Sequence, residues 1–328
     1  MENKIESSII SSFLLLFSLL ATTSAKSPLF IFGDSVLDAG NNNYINTSTS
    51  VQANFWPYGI TSFRYPTGRM SDGRLICDFI AGALVLTNQG LVIDLHMQLE
   101  NFKKVKELWI DKLGEVKAKK KLTSAVYLFN IGANDYFSLF VFNSTFLTSY
   151  TKPEYVNMVI GNITSVITDI YKTGGRKFAF LNIPKIGCAP FFRMSTANGE
   201  CEAEPTNYAM IHNRALSQVL IKLKVQLPGF KYSLYDWDSS SQQRVDYPSK
   251  YGFKEGKTAC CGTGKFRGVF SCGGTRVVKE YELCENVNDY VFWDSTHLTE
   301  KAYRQIADEM WNISPYGSHS IKELFHLP

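Results

Sequence analysis

Four residues in this sequence carry groups useful in acyl chemistry. Ser35 follows Gly33 and Asp34 at the end of "LFIFGDS", Asn134 follows "AVYLFNIGA", and Asp294 and His297 follow "YVFW". A serine hydroxyl is a weak nucleophile until a base takes its proton, and the base must itself be oriented by a third group. His297 has the chemistry of the base. Asp294, close before it in D-S-T-H, has the reach to hold the imidazole and to stabilise its protonated form. The chain order Ser, Asp, His is that of α/β hydrolases. Asn134 offers an amide donor for a developing oxyanion, together with the backbone N–H of Ser35. The G-x-S-x-G elbow is only half present, because Leu37 stands where its second Gly belongs. Ser35 is therefore either an ordinary turn residue or a nucleophile on another kind of turn. Asp294 could equally cap a following helix, and Asn134-Asp135 could be turn residues. The shared placement of all four at strand ends is what favours a hydrolase.

That placement depends on alternating strands and helices. "LFIF" (29–32), "AVYLFNI" (125–131), "KFAFLNI" (177–183), "KYSLYD" (231–236) and "YVFW" (290–293) read as strands. Between them, "DLHMQLENFKKVKELWIDKLG" sets Leu95, Leu99, Phe102, Val105 and Trp109 near helical spacing. "PEYVNMVIGNITSVITDIYKTGG" is a long helix closed by Gly174 and Gly175, and "TNYAMIHNRALSQVLIKLKVQL" is a further helix. "TEKAYRQIADEMW" places Ala302, Ile306 and Met310 on one face. Such alternation predicts one α/β domain with a mostly parallel sheet, whose ligand sits outside the carboxyl ends of the strands.

Composition sets the frame for that domain. The 328 residues are 45% hydrophobic and 20% charged, with a formal net charge of +4, so one large core is available and nothing argues for a nucleic-acid partner. Ile9–Ala21 is nearly continuous apolar sequence followed by "TTSA", which reads as a signal peptide cleaved after Ala25. It is shorter than the roughly 20 apolar residues that span a bilayer. The expected mature domain is 26–328, secreted and soluble. N-x-[ST] acceptors at Asn46, Asn143, Asn162 and Asn312 are expected to carry glycan in that compartment, although Pro315 follows the last one closely. Seven cysteines are present. Cys260, Cys261, Cys272 and Cys284 lie in a Gly-rich segment without C-x-x-C spacing, which argues for disulfides over zinc. Cys188 and Cys201 suit a small loop of their own, which leaves Cys77 as the odd one out.

The other polar motifs carry less. His96 and His212 sit inside predicted helices, His319 and His326 near the C-terminus, and structural or solvated roles are expected for all four. "GTGKFRG" (262–268) matches no phosphate-loop pattern and reads as a loop.

The blocks "FIFGDSVLDAGNNNY", "NFWPYG", "YPTGRMSDGRLICDFIA", "YLFNIGANDY", "GGRKFAFLNIPKIGC", "CCGTG" and "FWDSTHLTEKA" together resemble the plant GDSL esterase/lipase family of the SGNH hydrolases. The match runs through essentially the whole mature chain. "DYPSKYGFKEGKTACCGTG" and the C-terminal extension resemble its secreted, defence-associated branch. The resemblance implies a flavodoxin-like three-layer α/β/α sandwich and hydrolysis of carboxylic esters, often acyl lipids, through an acyl-enzyme. It implies Ser35, Asp294 and His297 as the catalytic residues, and Ser35 and Asn134 in the oxyanion hole. It also implies no metal and no organic cofactor. The expected partner is a small-molecule or lipid ester, with no stable membrane insertion. These motifs do not encode an oligomeric state, a monomer being favoured. One departure stands out. Where family members carry a further segment ending in a block like N-F-A-S-x-G-A-G, Ile80 and Ala81 here run directly into Gly82. An edge strand of the sheet and one oxyanion donor are expected to be missing, with Gly82 the nearest candidate for that donor. The competing expectation is a catalytically impaired protein that keeps the fold and binds.

Overall fold

A computed structural model describes residues 27–80, 92–142, 144–314 and 318–328. Four short strands, β1 (Leu29–Gly33), β2 (Val126–Asn130), β3 (Lys177–Leu181) and β4 (Lys231–Tyr235), lie side by side in that order and are all parallel. The helices labelled below are α1 (Ile76–Ile80), α2 (Leu95–Leu113), α3 (Glu115–Ser124), α4 (Ala133–Val141), α5 (Lys152–Lys172), α6 (Ala203–Gln226), α7 (Trp237–Asp246), α8 (Glu300–Asn312) and α9 (Ile321–His326).

Alternation along the strands divides the core in two. Phe30 and Phe32 of β1, Tyr127 and Phe129 of β2, and Phe178 and Phe180 of β3 stand in register and stack across the sheet. Their rings lie 4.8–5.4 Å apart between centroids. Offset stacks of this kind stabilise by about 0.5–1.5 kcal/mol each beyond their buried area. Helices α2, α5 and α6 close over this aromatic face with Phe102, Ile163, Ile167, Leu216 and Leu220. The opposite face, with Leu128, Ala179 and Leu181, is covered by α1, α8 and α9 through Ile76, Ala302, Ile306 and Leu324. The result is the three-layer α/β/α sandwich, and among the described residues β1 forms one edge of its sheet.

Most of the expected elements are present with small shifts at their ends. The strand "YVFW" is the exception. β6 (Tyr290–Phe292) lies outside the main sheet and pairs in parallel with β5 (Glu255–Ala259) in a separate two-stranded unit. Its apolar run reflects burial against α8, a context that a short strand does not encode.

The cysteines form three disulfides, Cys188–Cys201, Cys260–Cys284 and Cys261–Cys272, with Cys77 free and buried. The second and third pairs pack with Ala53, Tyr58, Met70 and Trp293 into a small third cluster beside the sandwich. The expected signal peptide, Gly82 and Asn143 lie outside the described residues. Among those described, no helix is long and apolar enough to cross a membrane.

Candidate active site

The turn that carries Ser35 begins where β1 leaves the sheet. Leu37 donates its N–H to the Asp34 carbonyl at 3.0 Å, and Val36 donates to Asp34 Oδ1 at 3.2 Å, so Ser35 sits at the apex of a tight turn. Gly33 is required by close approach: a Cβ there would meet the Asn130 carbonyl oxygen and Leu37 Cδ1, each at 2.9 Å. Among the described residues no strand pairs with the other side of Gly33, and Gln98 of α2 lies there instead. Its Oε1 accepts the Gly33 N–H and its Nε2 donates to the Gly33 carbonyl, both at 2.9 Å.

Asp294 and His297 occupy a reversal of the chain after β6, closed by the Trp293 N–H donating to the His297 carbonyl at 2.8 Å. Asp294 Oδ1 accepts the backbone N–H groups of Thr296 at 2.9 Å and His297 at 2.8 Å, which curls the loop so that the His297 ring returns to the same carboxylate. Nδ1 of that ring lies 2.9 Å from Oδ1 and 3.0 Å from Oδ2. Tyr58 donates its hydroxyl to Oδ2 at 2.8 Å. Burial alone would push this carboxyl up. His297, Arg276 and the hydrogen bonds outweigh it and hold Asp294 well below the usual carboxylate range. An ionised Asp294 places the proton on Nδ1, which leaves the Nε2 lone pair toward Ser35. Nε2 and Ser35 Oγ are 2.8 Å apart. Ser35, His297 and Asp294 thus form one unbroken hydrogen-bonded chain.

Asn134 lies in the first turn of α4, just past the carboxyl end of β2, the strand beside β1. It is exposed. The start of α4 is fixed by Gly132, whose positive φ of 115° and contact with His212 exclude a side chain. His212 is fully buried in α6 and hydrogen-bonded at Nδ1 to Tyr136 of α4 at 2.8 Å. Burial lowers its pKa to about 4, so the ring is neutral and structural. Among the described residues, none accepts a hydrogen bond from the Ser35 N–H. Asp34, desolvated beside the same site, has its pKa raised to about 6.

Several contributors are given no role by the sequence patterns. Tyr58, Gln98 and Arg276 reach the site from 236, 65 and 218 residues away in sequence from their partners. Asn46, Asn162 and Asn312 are exposed, the last donating to the Asp308 carbonyl at 2.9 Å. His96 is exposed on α2 and His326 lies in α9. "GTGKFRG" leads from the short strand Cys261–Gly262 into a single 3-10 turn, Lys265–Arg267, with no α-helix directly following.

The pattern that defines the GDSL-like lipase/acylhydrolase family matches residues 29–310. GDSL esterase/lipase 5 of Arabidopsis thaliana is 49% identical over an alignment covering 92% of this chain and 88% of that protein. A GDSL lipase of Tanacetum cinerariifolium is 42% identical, covering 90% and 87%. A third relative, the Arabidopsis protein named inactive GDSL esterase/lipase-like protein 25, is 35% identical, covering 97% and 80%. The first alignment spans 339 positions, whereas 92% of 328 residues is about 302, so that relative carries about 37 residues without a counterpart here. The chain belongs to the GDSL-like lipase/acylhydrolase family.

Proposed function

We propose that this carboxylic ester hydrolase works through a Ser35 acyl-enzyme, with His297 as general base and acid and Asp294 orienting it. The observation that carries the reading is the continuous chain from Ser35 Oγ through His297 to Asp294, with links of 2.8 and 2.9 Å. Ser35 Oγ attacks the ester carbonyl carbon as its proton passes to His297 Nε2. The carbonyl oxygen becomes an oxyanion facing the Ser35 N–H and the Asn134 amide. As the C–O bond breaks, the imidazolium returns the proton to the alcohol oxygen, which departs. A water then gives its proton to His297, attacks the acyl carbon and releases the acid with Ser35 regenerated.

The proposed substrates are esters of the acyl-lipid type. The proposed form is a single domain, 26–328, secreted after loss of residues 1–25 and glycosylated. Three disulfides and exposed acceptors at Asn46, Asn162 and Asn312 support that compartment. An organophosphonate should add covalently to Ser35, and the adduct should vanish in Ser35→Ala. Absence of labelling in folded protein would overturn the reading. It would then favour the second one, a binding protein of the same fold, which the relative's residues without a counterpart here support.

A further inference from the structure

We infer that Arg276, acting through Tyr58, is a positioning residue for Asp294 and sets how strongly that carboxylate holds a proton on His297. This rests on the proposed triad and goes beyond it. It also gives a role to the cysteine-rich segment and to "NFWPYG", neither of which the hydrolytic steps use.

Arg276 is 4% exposed and Tyr58 is fully buried. The guanidinium Nη1 donates to the Tyr58 hydroxyl at 3.1 Å, and the same hydroxyl donates onward to Asp294 Oδ2 at 2.8 Å. The tyrosine is thus both acceptor and donor in a chain that runs from a cation to the catalytic carboxylate. Such chains polarise from end to end, and in a water-poor surrounding the charge at one end is felt at the other.

The guanidinium is fixed from several sides. Nη1 also donates to the Cys272 carbonyl at 2.9 Å, and Nη2 donates to the Gln52 carbonyl at 3.3 Å. The Phe270 ring lies 4.0 Å from it and the Phe55 ring 5.2 Å. Cys272 is held by its disulfide to Cys261, and Cys260, next along, is tied to Cys284. The disulfide-bound segment therefore carries a cation to the back of the triad. Among the described residues no carboxylate forms an ion pair with Arg276, so the negative charge it meets through this chain is that of Asp294.

The charge on Arg276 draws electron density away from His297 along the chain, so its removal should favour the imidazolium. The other titratable groups around the pair are Asp34 in the nucleophile turn, Asp135 on α4, Tyr303 and Glu300 on α8, and Asp72. Each is present in parent and variant alike. Burial raises the Asp34 pKa to about 6, so the comparison is repeated with Asp34→Asn.

The experiment follows the His297 ring by NMR across pH in the Ser35→Ala protein, which needs no turnover. Tyr58→Phe and Arg276→Met should each move the midpoint to higher pH, and the double variant by less than the sum. Arg276→Lys keeps the charge and should stay closer to the parent than Arg276→Met. In the active protein the acid limb of kcat/KM should move the same way. If Tyr58→Phe fails to fold, the two Arg276 variants decide. Folded variants with an unmoved midpoint would reduce Arg276 to a structural stitch and overturn the inference. Shifted midpoints without Ser35-dependent turnover would count against the esterase reading alone.

Discussion

The side-chain amide of Gln98 holds both polar groups of Gly33, accepting its N–H and donating to its carbonyl at 2.9 Å each. One side chain thereby does the work of a strand on the side of β1 where, among the described residues, no strand pairs, two residues before the proposed nucleophile. Gln98→Leu removes both bonds without adding bulk at the turn. Stability should fall by about 1–3 kcal/mol from the two unpaired backbone groups. Loosening of the Ser35 turn should lower kcat by about ten-fold, with KM little changed. A lowered melting temperature with unchanged kcat would separate the edge contact from catalysis.

Asn134→Ala tests the oxyanion assignment. Loss of one preorganised donor typically lowers kcat by about 10²–10³-fold. The fall should lie in kcat and leave KM near the parent value, because the donor acts on charge that develops during reaction. A variant with parent kcat would remove Asn134 from the site.

Asp34 gives a pH signature. Burial lifts its pKa to about 6, above the ordinary value of 3.8, so the folded state holds a proton that the unfolded chain has released. Stability from this group is fully present below about pH 4 and is lost as pH rises through about 6. Asp34→Asn keeps an oxygen for the Val36 N–H and removes the titration. Urea unfolding at pH 4 and pH 7 should show the parent losing about 2 kcal/mol more than the variant over that range. Equal slopes would contradict the assignment.

Cys77 makes a further prediction. It is fully buried, its Sγ lies 3.4 Å from the Leu37 carbonyl oxygen, and burial pushes its thiol up to about 12. A low thiolate fraction and no access make it inert. Iodoacetamide at pH 8 should leave the native protein unmodified and add one label per chain after unfolding without reductant. Labelling of the native protein at Cys77 would show that the core beneath the turn opens.

What the sequence discloses follows from the range of the interactions. β1 to β4, α2, α5, α6 and α8 are legible because their apolar periodicity is local and strong. The D-S-T-H loop is legible because Asp294 bonds groups two and three residues on. Helices α7 and α9 announce themselves only by caps: Asp236 accepts from Ser239, and Ser320 and Glu323 form a capping box. β6 carries a strand pattern but no indication of its partner, and that partner turns out to be β5 rather than the main sheet. The roles of Tyr58, Arg276 and Gln98 lie beyond local reading, although Tyr58 stands in the block "NFWPYG". Each matters through contacts made across a distant turn of the fold, and no spacing rule reports such contacts.

The central claim is tested most directly by ester turnover. The purified protein and Ser35→Ala are compared on short- and long-chain p-nitrophenyl esters, with circular dichroism showing both folded. The account predicts turnover in the parent that falls to background in Ser35→Ala. Equal turnover in the two, or none in a folded parent, would contradict it.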